Sequence, residues 1–106
     1  MMRGEVWWVD FGSPCGSEQG GLRPALIVSN DVGNHYAPIL IVAPLTSRPK
    51  KPLPTHVKTA GGLILCECVT TIDKSKVIDY QRSLSDEEME RVDHALEVAL
   101  GLTEVF

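Results

Sequence analysis

Residues 38–46, Pro38-Ile39-Leu40-Ile41-Val42-Ala43-Pro44-Leu45-Thr46, form an apolar run of strand length that begins with proline. A short continuous apolar run bounded by turn residues is typical of a β-strand buried in a sheet. The run at residues 24–29 also begins with proline, and residues 5–11 are rich in the β-branched and aromatic side chains that favour strands. We therefore predict three strands in this first part of the chain.

The rest of the chain adds short extended segments at residues 55–58, 62–71 and 76–81, with glycine and proline in the turns between them. Five or more short strands of this kind favour a small β-barrel or a strongly curled sheet. The chain has 106 residues, a hydrophobic share of 43% and no internal repeat, so we expect one domain over residues 1–106. The predicted fold class is mainly β (α+β).

The end of the chain is predicted to be a helix. Ser85 is placed to cap its first turn, Glu88 completes a capping box, and Leu84 and Met89 hold the positions of a hydrophobic staple. Gly101 is the residue expected just after the last turn. The apolar positions repeat at helical spacing and are Met89, Val92, Leu96, Ala99 and Leu100. This α-helix is predicted to pack one face on the sheet.

Charge is unevenly placed along the chain. The net charge of −4 argues against a simple basic nucleic-acid-binding domain. Residues 1–58 nevertheless contain six Lys and Arg against four Asp and Glu, whereas residues 59–106 contain four against ten. Arg48, Lys50, Lys51 and Lys58 share a stretch without any acidic residue. A local basic patch is therefore compatible with an acidic protein.

The cysteines and the hydropathy pattern indicate the compartment. Cys15, Cys66 and Cys68 are an odd number, and their spacing has no second ligand pair nearby, so neither a disulfide framework nor a zinc site is expected. We predict reduced thiols, with no metal and no cofactor. No apolar run approaches the roughly 20 residues that span a bilayer. The expectation is a soluble, cytoplasmic protein.

Two connections are long for a domain of this size, residues 13–24 and residues 45–56. The first is rich in glycine and in hydroxyl or amide side chains, and the second is rich in cations. Long loops on a small scaffold are more often functional than neutral. We therefore expect the functional residues in these two loops.

Several motifs follow one another in a characteristic order. They are Arg3-Gly4-Glu5-Val6-Trp7, Gly16-Ser17-Glu18-Gln19-Gly20-Gly21-Leu22-Arg23-Pro24, Pro44-Leu45-Thr46-Ser47, Leu53-Pro54-Thr55-His56-Val57 and Thr71-Ile72-Asp73-Lys74. Together with the closing Leu100-Gly101-Leu102 they cover nearly the whole chain. In this order they resemble the MazF/PemK toxin family.

The resemblance implies an SH3-like, CcdB/PemK-type β-barrel of short antiparallel strands with a C-terminal helix packed on it. It further implies a homodimer that cleaves single-stranded RNA without a metal ion, leaving 2′,3′-cyclic phosphate and 5′-hydroxyl ends. A MazE-like antitoxin with an acidic C-terminal segment would hold the enzyme inactive. Arg23 and Thr46 match the positions that the family uses for catalysis.

The chemistry suits these residue types. Attack by a 2′-hydroxyl on the neighbouring phosphate needs a base, an acid and stabilisation of the negative charge on the phosphoryl oxygens. The Arg23 guanidinium is a fork of donors that matches phosphate, and Thr46 adds an oriented hydroxyl. Both are assigned mainly to stabilisation of the transition state. The base stays open, with His56 as the alternative acid or base because imidazole titrates near neutrality.

Further residues are candidates for RNA contact. Polar side chains beside Arg23 suit the reading of base edges, and cations of the second loop suit phosphates. These candidates are Ser17, Glu18, Gln19, Ser47, Arg48, Lys50, His56, Glu67 and Cys68. Cys68 stands where members of the family often have glutamine. Because a thiol is a weak donor and acceptor, the cleavage sequence is not expected to match that of relatives.

Two other classes remain open from the sequence. A CcdB-like toxin on the same fold would act on a protein target such as DNA gyrase, since fold does not determine function. Such proteins carry an exposed Trp near the chain end, where this chain has Gly101-Leu102-Thr103-Glu104-Val105-Phe106. An SH3-like adaptor would need an aromatic groove for polyproline. Trp7 and Trp8 are candidates for stacking on RNA bases, but they are adjacent in a predicted strand, so only one of them can face a given groove. A place in the core or in the dimer interface is the favoured interpretation.

Overall fold

The computed structural model describes residues 1–12 and 20–104. Its regular elements are β1 (Glu5–Asp10), β2 (Leu22–Ile27), α1 (Asp31–Tyr36), β3 (Ile39–Thr46), β4 (His56–Thr59), β5 (Gly62–Leu65), β6 (Thr70–Asp73), β7 (Val77–Ser83) and α2 (Asp86–Ala99), with short 3-10 turns at Cys66–Cys68 and Lys74–Lys76. Within the described part of the chain, no helix has the length and apolar character needed to cross a membrane.

One antiparallel sheet contains every strand. Its order is β4-β5-β3-β2-β1-β7, with β6 also paired to β3. Strand β3 is the central element, because β2 runs along one side of it while β6 and β5 pair with its first and last residues on the other. The predicted apolar run at 38–46 is thus confirmed as the strand that organises the sheet.

The predicted strand at residues 62–71 was wrong in its middle. β5 and β6 both pair with β3, but their registers differ by three residues, and the 3-10 turn Cys66–Cys68 takes up this difference. The sequence of this turn looks like part of a strand because it begins with an apolar residue, Cys66, which is buried in the core. The short helix α1 was not predicted either. It has six residues and begins where the Asn30 side chain accepts from the Gly33 amide.

Both faces of the sheet carry apolar clusters. The first cluster joins α2 to the sheet and comprises Val6, Leu26, Ala43, Leu45, Val57, Ile64, Cys66, Val92 and Ala95. The second comprises Val9, Ala25, Ile27, Leu40, Val42 and Ile72. Neighbouring residues of β2 and β3 enter opposite clusters, as the alternation of side chains along a strand requires. The central strands are therefore held from two sides.

Helix α2 begins and ends as predicted. The Ser85 hydroxyl accepts from the Glu88 amide, and the Glu88 carboxylate accepts from the Ser85 amide, which completes the capping box. At the other end, Gly101 has a φ of +73°. The Gly101 amide donates to the Val98 carbonyl at 3.1 Å and the Leu102 amide to the Glu97 carbonyl at 2.8 Å. These bonds form a Schellman motif, which satisfies the last carbonyls of the helix.

The antiparallel sheet is open. Among the described residues, no backbone pairing joins β4 or β5 to β7 at the other end of the strand order. The two ends are linked by a side chain, since Arg82 Nη2 donates to Thr59 Oγ1 at 2.9 Å. We call this junction between β7 and the turn from β4 to β5 the seam. A mainly β fold with a C-terminal helix is confirmed, whereas a closed barrel is not.

Removal of the Ser85 hydroxyl tests the capping box. We expect Ser85→Ala to lower the free energy of unfolding by about 1 kcal/mol, because the Glu88 amide loses its acceptor. For a domain of this size the melting temperature should fall by roughly 4 °C, measured by circular dichroism. Ser85→Asp is the matched control, since aspartate caps as well as serine does. Equal melting temperatures for the Ala and Asp variants would contradict this role of the cap.

Candidate active site

Two neighbouring clefts lie at the end of β3. The first, which we call the Arg23 cleft, has a volume of about 450 Å³. Its polar wall includes Arg23, Thr46, Ser47, Arg48 and Gln81. The second, the loop cleft, is also about 450 Å³ and shares Thr46, Ser47 and Arg48 with the first. Thr46 therefore stands between the two clefts.

The pairing of β2 with β3 explains why Arg23 and Thr46 meet. Ala25 is the register partner of Pro44, and Arg23 and Thr46 lie two residues beyond that pair on their respective strands. Residues two apart in a strand project from the same face, so both side chains lie on one side of the sheet. The two predicted catalytic residues line the same cleft although 22 residues separate them in the sequence.

The Arg23 guanidinium is oriented by the backbone beside it. Its Nε donates to the Gly20 carbonyl at 2.8 Å, and the side chain is half-buried. This bond uses one of the five N–H donors of arginine and leaves the outer edge of the fork for a ligand. Phe11 and Gly21 are joined by a backbone hydrogen bond of 2.9 Å, so the described ends of the first long loop are held together next to Arg23.

Thr46 is the last residue of β3, and only 4% of it is exposed. Its Oγ1 accepts from the Arg48 amide at 3.2 Å. The hydroxyl oxygen is the acceptor in this bond, so the bond does not use the hydroxyl proton. That proton can be donated to a ligand oxygen. The same bond turns the chain after the strand, and Ser47 and Arg48 are exposed at that turn.

The cleft wall also includes residues from other parts of the chain that were not predicted as site residues, namely Trp8, Gly61 and Gln81. Gln81 lies at a β-bulge, because Val6 pairs with Arg82 while the next residue of β1 pairs with Tyr80. Bulges redirect side chains, and this one explains why Gln81 reaches the cleft. Of the tryptophan pair, Trp8 lines the cleft, whereas the Trp7 ring packs edge-on against Tyr80 at 5.6 Å.

The residues of the second loop separate into two groups. Ser47 and Arg48 line both clefts, while Lys50 and His56 line the loop cleft. His56 is largely buried, with 5% of its side chain exposed, and its Nε2 lies 2.7 Å from Glu67 Oε2. Thr55 Oγ1 donates to the other carboxylate oxygen of Glu67 at 2.9 Å. The Glu67 carboxylate thus holds the His56 ring in place.

The pKa of Glu67 reflects these contacts. Burial alone would raise the pKa, but hydrogen bonds from its own backbone, from His56 and from Thr55 outweigh burial and lower it below the ordinary value of 4.5. Glu67 is therefore ionised near neutral pH. Glu67 lines neither the Arg23 cleft nor the loop cleft.

Glu67 and Cys68 line a third groove of about 550 Å³, together with Pro44 and Phe11. Burial and then the charge of Glu67 raise the pKa of the Cys68 thiol. Burial likewise raises the pKa of Cys66 to about 12. Both side chains are therefore protonated thiols at neutral pH, and Cys68 presents only a weak donor to this groove.

Three of the candidates, Ser17, Glu18 and Gln19, lie outside the described residues, as does Cys15. Their proposed contacts with RNA stay predictions. Among residues 1–12 and 20–104, no group of three His, Cys, Asp or Glu side chains is placed to hold a metal ion.

The Arg23 cleft brings together a guanidinium and an oriented hydroxyl beside further cations, and donors of these types are suited to phosphate groups. The comparisons with known proteins make the class of the protein specific. Residues 2–100 match the family model described as the PemK-like, MazF-like toxin of type II toxin–antitoxin systems. The chain belongs to this toxin family.

Relatives and solved structures agree with that membership. Endoribonuclease EndoA of Bacillus subtilis is 41% identical over 111 aligned positions, which cover 96% of each protein. Endoribonuclease MazF of Staphylococcus saprophyticus is 40% identical, over 96% of this chain and 92% of that protein. A mycobacterial endoribonuclease, solved in complex with its cognate antitoxin, superposes with a TM-score of 0.84 and 27% identity over 99% of each chain.

The contacts of Glu67 predict a pH-dependent contribution to stability. Because its pKa is lowered on folding, the contribution is complete above pH 4.5 and is lost as the pH falls through the lowered value. We expect Glu67→Gln to reduce the free energy of unfolding at pH 7 by about 0.5 kcal/mol, a small effect because the carboxylate is partly solvated. Urea titrations should show the difference between the two proteins narrowing below pH 4.5. A difference that is constant with pH would contradict the assignment.

Proposed function

We propose that this toxin is a sequence-specific endoribonuclease that cuts single-stranded RNA, messenger RNA included. The observation that carries the proposal is the placement of Arg23 and Thr46 in one cleft by the pairing of β2 with β3. The names of the relatives, endoribonuclease EndoA and endoribonuclease MazF, support the same activity.

The proposed reaction is an attack by the 2′-hydroxyl of one nucleotide on the phosphate that follows it. The bond to the 5′-oxygen of the next nucleotide breaks, so that one product ends in a 2′,3′-cyclic phosphate and the other begins with a 5′-hydroxyl. Negative charge grows on the two non-bridging oxygens of the phosphate. Electrostatic stabilisation of such charge is often the largest single contribution to catalysis.

Arg23 and Thr46 are suited to stabilise that charge. The bond from Arg23 Nε to the Gly20 carbonyl fixes the plane of the guanidinium, and its remaining donors match two phosphate oxygens. The bond from the Arg48 amide to Thr46 Oγ1 leaves the hydroxyl proton for the same phosphate. A guanidinium and a hydroxyl supply this stabilisation without a bound cation, and we propose that the reaction is independent of metal ions.

The RNA is proposed to run from the Arg23 cleft into the loop cleft. Ser47 and Arg48 border both clefts, and Lys50 follows along the loop. Arg48 and Lys50 would bind successive phosphates, and Ser47 would add a hydroxyl contact. Glu67 and Cys68 would contact bases that reach the third groove. His56 forms part of the wall of the loop cleft, and its Nε2 is paired with Glu67. Two groups stay open: the base that accepts the proton of the 2′-hydroxyl, and the acid that gives a proton to the departing 5′-oxygen.

A homodimer is part of the proposal. Val32, Tyr36, Ile39 and Ile41 are large apolar side chains that are between 41% and 81% exposed, on α1 and on one face of β3. Exposed apolar surface of this kind is typical of an interface. We further propose a cytoplasmic location and an SH3-like arrangement of the strands.

The antitoxin is proposed to be a small MazE-like protein whose acidic C-terminal segment covers the Arg23 cleft and the basic loop. Such a segment would compete with RNA for Arg23, Arg48 and Lys50 because all three bind anions. The mycobacterial neighbour solved in complex with its cognate antitoxin supports an antitoxin partner.

Substitution of the two cleft residues tests the proposed chemistry. We expect Arg23→Ala and Thr46→Ala each to lower kcat by roughly 10²- to 10³-fold, the usual loss when one oriented donor to the transition state is removed. The assay is cleavage of a long single-stranded RNA in EDTA, with identification of the product ends. The melting temperature of each variant shows whether it is folded.

Arg91→Ala is the matched control, because Arg91 is an exposed arginine on α2 that lines neither the Arg23 cleft nor the loop cleft among the described residues. It should cleave RNA at the wild-type rate. Intact RNA with the wild-type protein would overturn the substrate and favour a protein target, as for CcdB-like toxins. Normal cleavage by both folded cleft variants would place the reaction elsewhere.

A further inference from the structure

Arg82 crosses the seam and contacts the turn between β4 and β5. Its Nη2 donates to Thr59 Oγ1 at 2.9 Å. The Thr59 hydroxyl in turn donates to the Gly62 carbonyl at 2.7 Å, so its oxygen is left to receive Arg82. The direction of both bonds is therefore determined, and they connect β7 to the backbone of Gly62.

The guanidinium also lies directly against Gly61. A Cβ atom at position 61 would lie 2.8 Å from Arg82 Nε and 2.8 Å from Nη2, which is closer than real Cβ contacts. Only glycine leaves room for Arg82 here without a shift. Gly61 is at the same time part of the wall of the Arg23 cleft.

The other side of the same turn touches Thr46. A Cβ atom at Gly62 would lie 3.0 Å from the Thr46 carbonyl oxygen, and Gly62 has a φ of +130°. Thr46 also pairs with Leu63 in the ladder between β3 and β5. The turn is thus held between the Arg82 guanidinium on one side and the backbone of Thr46 on the other.

Stability alone is a poor reason for this arginine. Arg82 Nε is buried and has no hydrogen-bond partner among the described residues. Within the described chain, no carboxylate lies within 4.0 Å of Arg82. The pKa of Glu88 is lowered mainly by the hydrogen bond from the Ser85 backbone, and the charge of Arg82 contributes less. A buried donor without a partner destabilises the fold, so the contact is better explained by what it positions.

We propose that Arg82 is a positioning residue for RNA cleavage: it holds the Gly61–Gly62 turn against the backbone of Thr46 and so determines where the Thr46 hydroxyl meets the scissile phosphate. This inference rests on the proposed endoribonuclease activity. It assigns Arg82 no contact with the RNA. A displaced turn should therefore reduce the rate of the chemical step and leave RNA binding unchanged.

Gly61→Ala is the most informative variant. The φ of Gly61 lies outside the left-handed region, so alanine fits the backbone, and the added methyl group displaces only the end of a flexible side chain. Arg82→Ala removes the contact, and Arg82→Lys keeps a donor for Thr59. Gly33→Ala is the matched control, because a Cβ there would lie 3.4 Å from its nearest neighbour, Asn30 Oδ1, on the distant helix α1.

The expected result is a selective loss in kcat. Gly61→Ala and Arg82→Ala should lower kcat by about ten-fold, since a small misplacement of a catalytic group has effects of this order or larger. The KM for RNA should change less than two-fold, and Arg82→Lys should recover part of the lost rate. Gly33→Ala should match the wild type in both constants.

The amide and methyl resonances of Thr46 give a second measurement in the protein without RNA. They should shift in Gly61→Ala and stay in place in Gly33→Ala. Unchanged Thr46 resonances, or wild-type kcat in both Gly61→Ala and Arg82→Ala, would overturn the positioning role. A raised KM with an unchanged kcat would overturn it too, because Arg82 would then bind RNA directly. Failure of the wild type to cut RNA would instead overturn the proposed function, and the Thr46 resonances would still decide the coupling between Arg82 and Thr46.

Discussion

The two-sided pairing of β3 is the constraint on which the site depends. On one side β3 pairs with β2, in the register that places Arg23 across from Thr46. On the other side, the end of β3 pairs with β5. Thr46, at the end of the strand, is therefore fixed by both neighbours. An error of one residue in the pairing of β2 with β3 would turn Arg23 to the opposite face of the sheet from Thr46. The core clusters on both faces of β3 make such an error costly.

The site lies where the sheet fails to close by backbone pairing. A seam bridged by one side chain leaves room for an open cleft, and two glycines allow the turn at that seam to approach Arg82 and Thr46 closely. The half-buried Arg23 and the buried Thr46 are held by local hydrogen bonds at this opening. Rigid donors next to an accessible cleft are the arrangement that stabilises a developing charge with little reorganisation.

Local patterns predicted most of the fold. The strands near residues 5–11 and 38–46 and the capping box of α2 follow from periodicity and from residues close in sequence. The turn Cys66–Cys68 was missed because it arises from a register difference between two strands on β3, which no local window contains. A short run of apolar residues such as leucine and cysteine occurs both in strands and in buried turns, so the residues alone do not separate the two.

The same limit applies to the site. Arg23 and Thr46 could be predicted because they lie in motifs that resemble a known family. Gly61 and Arg82 could not, because their contact joins residues far apart in the sequence, and a Gly-Gly pair alone indicates only a turn. The RNA contacts of Ser17, Glu18 and Gln19 stay predictions, and the catalytic base stays open. The central claim is tested most directly by a crystal structure with an RNA that carries 2′-deoxyribose at the cleaved position, which removes the nucleophile. The account predicts the adjoining phosphate within hydrogen-bond distance of the Arg23 guanidinium and Thr46 Oγ1. A phosphate bound in the groove beside Cys68, with no RNA in the Arg23 cleft, would contradict it.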